Sequence, residues 1–316
     1  IVNGINTALG LNSMHDAFSV AIISMMLISA VLSLLGIALI KERHIPETTK
    51  EDKVKVTDIF GMIKTNGALR IRLADMLFTG FIWNFLFATA TYYAKWAYCT
   101  DLTTGAVDTA KLGTFTMVSS LLMFFPLIIG TLVASPIMKA IGSPIRFHRI
   151  LILLEFVPGG ILFVLQMVGL LQSLPAVYLL CMGVCACAIG MDYIPGEVIN
   201  IEAMDYEIYK NGKDRSALCN AANKFLGKAQ SAVASGLVGV ILVAVGYEVD
   251  SATDTFLGEL SSIPVMLDWF IVIMGLIPFF LGLVGWLVLK RYPITDEIRA
   301  DMHEKLSGTS HAAGNT

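Results

Sequence analysis

The residues able to do chemistry in this chain are few and unevenly placed. The stretch Met204–Arg215 carries Asp205, Glu207, Lys210, Lys213, Asp214 and Arg215, and the apolar run after it holds Lys224 and Lys228. Three carboxylates, Glu155, Asp192 and Glu197, interrupt other apolar runs, and Trp83 and Asn84 sit in the middle of a further one with Tyr92 and Tyr93 near its end. Covalent chemistry finds no support. Of the five histidines, His44, His148 and His303 fall in expected loops or the tail, and none pairs with an obvious nucleophile or metal set. Gly227-Lys228 lacks the phosphate-binding context, with Ala222 and Ala229 where Gly and Ser/Thr are needed. Cys181, Cys185 and Cys187 do not share one helical face and read as small packing residues. What remains is charge inside oil. A Lys at the centre of a spanning helix costs at least ~2.5–3.5 kcal/mol, and the compensating feature in a membrane is a polar pathway for a solute.

The elements that must position these groups are transmembrane helices. The 316 residues are 56% hydrophobic and only 15% charged, below the roughly 25% charge that covers a soluble domain. Lipid-embedded backbone has to satisfy its own hydrogen bonds, so the fold class is an all-α, polytopic membrane protein. Runs of about 20 apolar residues mark the spans. They fall at Ala17–Ile40, Met76–Ala94, Leu112–Met138, Phe147–Leu171, Leu174–Ala203, Ser216–Gly246 and Pro264–Leu289, seven in total. Between the first two lies a charged loop, 41–70, in which Thr57–Lys64 offers an N-cap and one apolar face for a short interfacial helix. After the seventh, Thr295 caps an amphipathic tail helix with Ile294, Ile298, Met302 and Leu306 on one stripe, followed by a disordered end. The expected division is 1–40 (one helix and an outer N-terminal segment), 41–70, a six-helix bundle over 71–290, and the tail 291–316. Lys and Arg divide eighteen to two between the faces implied by this count. The central loop and the C-terminus are therefore expected in the cytoplasm of a cell-membrane protein. The net charge of −3 carries no basic block for nucleic acid.

Four stretches resemble the glycoside–pentoside–hexuronide:cation symporters, the melibiose permease family of the major facilitator superfamily. Thr65-Asn-Gly-Ala-Leu69 is similar to the Asn-Pro-x-Leu entry of that family's seventh helix, and Tyr92-Tyr-Ala-Lys-Trp96 to its exit. Ser135-Pro-Ile-Met-Lys-Ala-Ile-Gly142 with Arg146 resembles a basic loop between helices eight and nine. Most specific is Glu202-Ala-Met-Asp-Tyr206 with Tyr209-Lys210, Gly212-Lys213 and Arg215, followed by Phe225 and Lys228. Glu207-Ile208 stands where that signature has Gly-Glu, and Asp214 is inserted before the Arg. The resemblance implies secondary active transport of a sugar or glycoside coupled to Na⁺ or H⁺, with no cofactor and with lipid and solute as partners. It also makes the chain the C-terminal half of a transporter plus one preceding helix, partnered by a missing N-terminal half that holds most of the family's cation site.

Within that expectation Lys228, about ten residues and hence ~15 Å into its helix, is a counter-charge for cation-site carboxylates or a donor to sugar hydroxyls, against a snorkelling lysine. Trp83, Tyr93, Asn84 and Asn223 are the other pathway candidates, the alternatives being ordinary packing and an interfacial aromatic belt. Glu155, Asp192, Glu197, Asp205, Arg149 and Arg215 form a cytoplasmic gate or charge network, with proton coupling and lipid-edge exposure as alternatives. Asp75, close to Arg70 and Arg72, reads as an interfacial end charge. Rival readings are a facilitator of a non-sugar solute and a non-transporting seven-helix remnant or sensor. A retinal protein fits poorly, because 269–289 contains no lysine.

Overall fold

The computed structural model describes residues 14–39, 58–212, 214–250 and 255–313. They form α1 (Met14–Leu39), α2 (Asp58–Thr65), α3 (Gly67–Tyr98), α4 (Thr109–Ile141), α5 (Pro144–Met167), α6 (Pro175–Asn211), α7 (Ser216–Ala244), α8 (Ser262–Arg291) and α9 (Asp296–Ala313). Seven of them, α1 and α3 through α8, are long and apolar enough to cross a membrane. The charged run from Lys41 to Lys55 lies outside the described residues. Helix α1 belongs to a separate compact unit, 1–53, and its described surface is almost wholly apolar and exposed. The remaining helices make the second unit.

In that unit the helices outrun the apolar windows of the sequence. Helix α3 starts nine residues before Met76, because Asn66 caps it: its side chain accepts from Leu69 N at 2.9 Å and donates to Ala203 O at 2.9 Å. Arg70, Arg72 and Asp75 are thus inside the helix rather than before it. Pro144 sits in the first turn of α5, where its missing N–H costs nothing. That start places His148, at the very edge of the expected span and grouped there with the basic loop, in the second turn of the helix. Helix α8 contains a π turn, Val272–Leu276, just before Pro278. The tail α9 is helical to Ala313, where a disordered end was expected, and only its last three residues fall outside the description.

Packing follows from residue size. Helix α4 lies along α6, α5 touches both α6 and α8, and α3 packs on α8, α7 and α6. The α4–α6 seam is built on Gly130 and Gly190: a Cβ on Gly190 would overlap the Leu127 backbone, and one on Gly130 the Cys187 carbonyl. Small residues let membrane helices approach closely where no hydrophobic force drives them together. Thr131 Oγ1 adds a bond across the seam, donating to Gly190 O at 2.9 Å. Outside, α4 exposes Phe124, Phe125, Ile128 and Leu132, the last 73% exposed. Such a surface suits acyl chains and not water.

The two ends of the bundle differ. At the Tyr98 end of α3, Tyr93, Trp96 and Tyr98 pack with Phe115, Tyr178 and Phe256 into an aromatic cluster. At the opposite end Met62, Leu69, Tyr206, Cys219, Ile294 and Met302 join α2, α3, α6, α7 and α9 in a second apolar cluster. Replacing Gly190 with Ala is expected to force α4 from α6 and cost roughly 1–3 kcal/mol. A lowered thermal midpoint in detergent, with Gly239→Ala as the unaffected control (open space around its Cβ position), checks it.

Candidate functional site

Between α3, α5, α6 and α7 lies a cavity of about 350 Å³. That is within the range of small-molecule sites. Helix α3 contributes Arg72, Thr79, Trp83 and Asn84; α5 contributes Glu155; α6 contributes Asp192, Tyr193, Glu197 and Asn200; α7 contributes Gly227 and Gln230. The α7 wall is fastened at Gln230, whose Nε2 donates to Met76 O at 2.6 Å and Leu77 O at 3.0 Å. Gly80 of α3 leaves room for that carboxamide.

A charged floor lies against this cavity. Arg72 and Asp75, three apart on α3, share one face, with Nη1 donating to Asp75 Oδ2 at 2.5 Å. Arg72 Nε donates to Asn200 Oδ1 at 2.9 Å, and Gly196 leaves the space its guanidinium occupies. From α5, His148 Nε2 lies 2.9 Å from Asp75 Oδ2 and 3.2 Å from Arg72 Nη1. Its Nδ1 makes a short contact with Asp192 Oδ1 on α6. One imidazole therefore bridges two carboxylates from two helices. Glu155, seven residues after His148 and hence on the same face of α5, is 7% exposed; its carboxylate makes no hydrogen bond or ion pair among the described residues.

The expected residues divide into those the cavity gathers and those it does not. Trp83, Asn84, Glu155, Asp192 and Glu197 line it together. Trp83 packs against Phe87 with the ring planes tilted by 57°, and Asn84 Nδ2 donates to Gly80 O at 2.8 Å. Lys228 is exposed on α7 beside cavity-lining Gly227, with no ion pair among the described residues. Asn223 is half-buried outside the lining, its Oδ1 buried without a hydrogen-bond partner. Tyr93 is neither a wall of the cavity nor part of a surface belt. It is fully buried in the aromatic cluster, stacked on Tyr178 and donating to Gln166 Oε1 at 2.7 Å. Its hydroxyl needs a partner once buried, and Gln166 in turn donates to Asp268 Oδ1 at 2.7 Å.

The charge network also differs from the expected one. Arg149 does not join Glu155 or Asp192: one residue on from His148 it turns toward α8, its guanidinium 4.6 Å from the Trp286 ring centroid. Arg215 lies 3.5 Å from Glu207 and makes no pair with Asp205 among the described residues. The carboxylate that departs from the family signature is thus buried and faces the signature arginine. Inserted Asp214 accepts from Ser216 N and Oγ at 3.0 and 2.7 Å, and these bonds hold its carboxyl below the usual range. Asp75 is no interfacial charge but 0% exposed, and His148 is no loop residue but the centre of the floor. The spacing His148–Glu155 and Pro144 in the preceding turn were the available signals for the latter.

The sequence profile of MFS/sugar transport proteins matches residues 5–296. The chain belongs to this family. Comparison with curated proteins returned no match. The family and the seven apolar helices make it a multi-pass membrane sugar transporter rather than an enzyme. Its charged floor sets a stability requirement. Asp75→Ala leaves buried Arg72 facing His148 without the carboxylate between them, and breaking such a buried pair costs about 3–5 kcal/mol. Fluorescence-detected size exclusion should show a large loss of monodisperse protein for Asp75→Ala and none for Asp101→Ala, in an exposed turn.

Proposed function

We propose that this transporter moves a sugar or glycoside together with a cation, by alternating access, in the manner of the melibiose permease family. The observation that carries the reading is the meeting of Trp83 and Asn84 with carboxylates and amides in one cavity. An indole face covers the C–H face of a pyranose, while Asn84, Asn200 and Gln230 supply groups that bond hydroxyls. The ionised floor next to it supplies fixed charge whose balance a coupling cation can alter. Transporter sites of this kind sit near the bilayer midplane at the junction of two repeats. In the proposed arrangement the six helices α3–α8 form one repeat, and a second six-helix half covers the face of α7 that exposes Lys224, Phe225 and Lys228.

The proposed orientation follows the Lys/Arg asymmetry, with the Asn66 end of α3 and the α9 tail in the cytoplasm of a cell-membrane protein. The cavity then reaches from the cytoplasmic third of the bundle to its middle. The aromatic cluster around Tyr93 and Trp96 closes the outer end. Lys228 keeps its proposed role, a cation next to Gly227 of the α7 wall, as counter-charge or hydroxyl donor. Arg215 with Glu207 and the tail contacts of α6 belong to a cytoplasmic gate.

Uptake of radiolabelled methyl-galactoside, lactose and xylose, measured with imposed Na⁺ or H⁺ gradients, tests the reading. Gradient-driven accumulation of one of them is the expected result; accumulation that ignores both gradients sinks the coupling. Trp83→Ala should raise the apparent KM about five-fold, the equivalent of ~1 kcal/mol of lost stacking. Lys228→Ala should abolish coupled uptake with expression intact. Wild-type uptake in that variant removes the lysine from the pathway.

A further inference from the structure

We infer that the His148 imidazole, held between Asp75 and Asp192 with Arg72 beside it, is a proton-binding site in this half of the transporter, and that the coupling ion is H⁺. The inference rests on the transport reading above and adds the ion and its place. It stands on geometry. Both ring nitrogens of His148 lie within hydrogen-bond reach of a carboxylate oxygen, Nε2 on Asp75 Oδ2 at 2.9 Å and Nδ1 on Asp192 Oδ1. A neutral imidazole has a single N–H. With both carboxylates ionised, the ring that makes both contacts is an imidazolium donating in two directions.

Removal of one proton finds substitutes already in place. A bare Nε2 accepts from Arg72 Nη1, 3.2 Å away, and Arg72 keeps its other bonds to Asp75 and Asn200. A bare Nδ1 releases Asp192, whose side chain is 20% exposed and lines the cavity. The proton leaves from Nδ1 to the Asp192 carboxylate and from there to cavity water; loading runs the same path backwards. Neither state strands a buried donor, which is what a reversible site requires. Unloading removes one positive charge from the imidazole behind Asp192, so the His148–Asp192 pair passes from net neutral to net negative at the cavity wall, beside the solute.

Two further observations point to a proton rather than a metal ion or a purely structural cluster. Asp75 is 0% exposed, and its Oδ1 has no hydrogen-bond partner among the described residues, a vacancy a carboxyl proton or a shifted N–H can use. Glu155, on the same face of α5, is buried at the cavity without a partner and offers a second acceptor nearer the bundle centre. Among the described residues no group of His, Cys, Asp and Glu has metal-ligand geometry. Around the imidazole α3 supplies Arg72 and Asp75, α6 supplies Asp192 and, beyond it, Glu197, and α5 itself supplies Glu155. Helix α8 comes up against Asp75 with uncharged Gly285.

The test uses the protein expressed from its own gene and reconstituted in liposomes, in unbuffered medium, with the glycoside that gives wild-type uptake. Adding that glycoside downhill should make the medium alkaline as protons enter with it, with or without Na⁺. In His148→Gln the glycoside should still enter, at whatever rate, while the proton-to-sugar ratio falls to the leak of empty vesicles. A merely structural histidine would lower the rate and leave the ratio intact, which overturns the inference. Wild-type sugar entry without alkalinisation overturns it too. Should His148→Gln fail to reach the membrane, Asp192→Asn removes the cavity-facing carboxylate and its ratio is read in the same way. If the wild type carries no glycoside in any mode, including exchange, the transport reading falls first and takes the proton site with it.

Discussion

A carboxylate sealed from water must be answered by charge or by hydrogen bonds, and Asp75 is sealed completely. The low dielectric that makes its burial costly also strengthens every bond that compensates it. Those bonds come from Arg72 on its own helix and His148 on α5, and through His148 from Asp192 on α6. Satisfying one buried group therefore fixes the rotation of three helices. Slide α5 by a turn and the imidazole misses both carboxylates at once. The network contributes little that an apolar core could not, in stability alone; what it adds is a single register.

That register explains where the cavity is. Helices α3, α5 and α6 are locked by the charged floor at one end; at the other, Tyr93, Tyr98 and Tyr178 pack α3 on α6, and the Tyr93–Gln166–Asp268 bonds tie in α5 and α8. Helix α7 stands outside this frame and touches chiefly α3, where the cavity-facing bonds are those of Gln230 to two backbone carbonyls. A wall held so sparsely leaves space beside it, and the space is lined by whatever α3 and α6 turn toward it. Trp83, Asn84, Asp192 and Asn200 meet there because of helix rotation.

The seven spans were legible in the sequence because a bilayer demands length and apolarity from each helix separately. Their ends were less so. Arg70, Arg72 and Asp75 end an apolar window, yet the helix continues through them, since charges that find partners on other helices need not end a span. The same reasoning hid His148. Flanked by Arg146 and Arg149 and following Gly142-Ser143-Pro144, it looked like part of a basic loop. Its partners lie 73 and 44 residues away, and no local pattern announces a pairing at that separation. Trp83 and Asn84, read as pathway residues, and Glu155, Asp192 and Glu197, read as a charge network, could be singled out because polar groups in oil are conspicuous one by one; that they line one cavity is visible only in three dimensions. Tyr93 was misplaced for the converse reason: an aromatic near a helix end is compatible with belt, wall or core, and only its neighbours decide.

The charge-rich end of α6 turns out to hold the bundle together rather than to line its cavity. Glu202 receives a two-pronged contact from Arg299, at 2.6 and 3.3 Å, and Tyr209 donates to Asp301 at 2.6 Å, so the end of α6 is tied to α9. Glu207 faces Arg215, and Asp214 braces the start of α7. Charges cluster there because a helix end near water bears them cheaply. Inside the bundle each charge is costly to hold, so the few present are spaced singly along different helices and come together only in three dimensions. Density of charge along the chain therefore marks the mechanical junction. Scarcity, combined with a partner far away in sequence, marks the charged floor of the cavity.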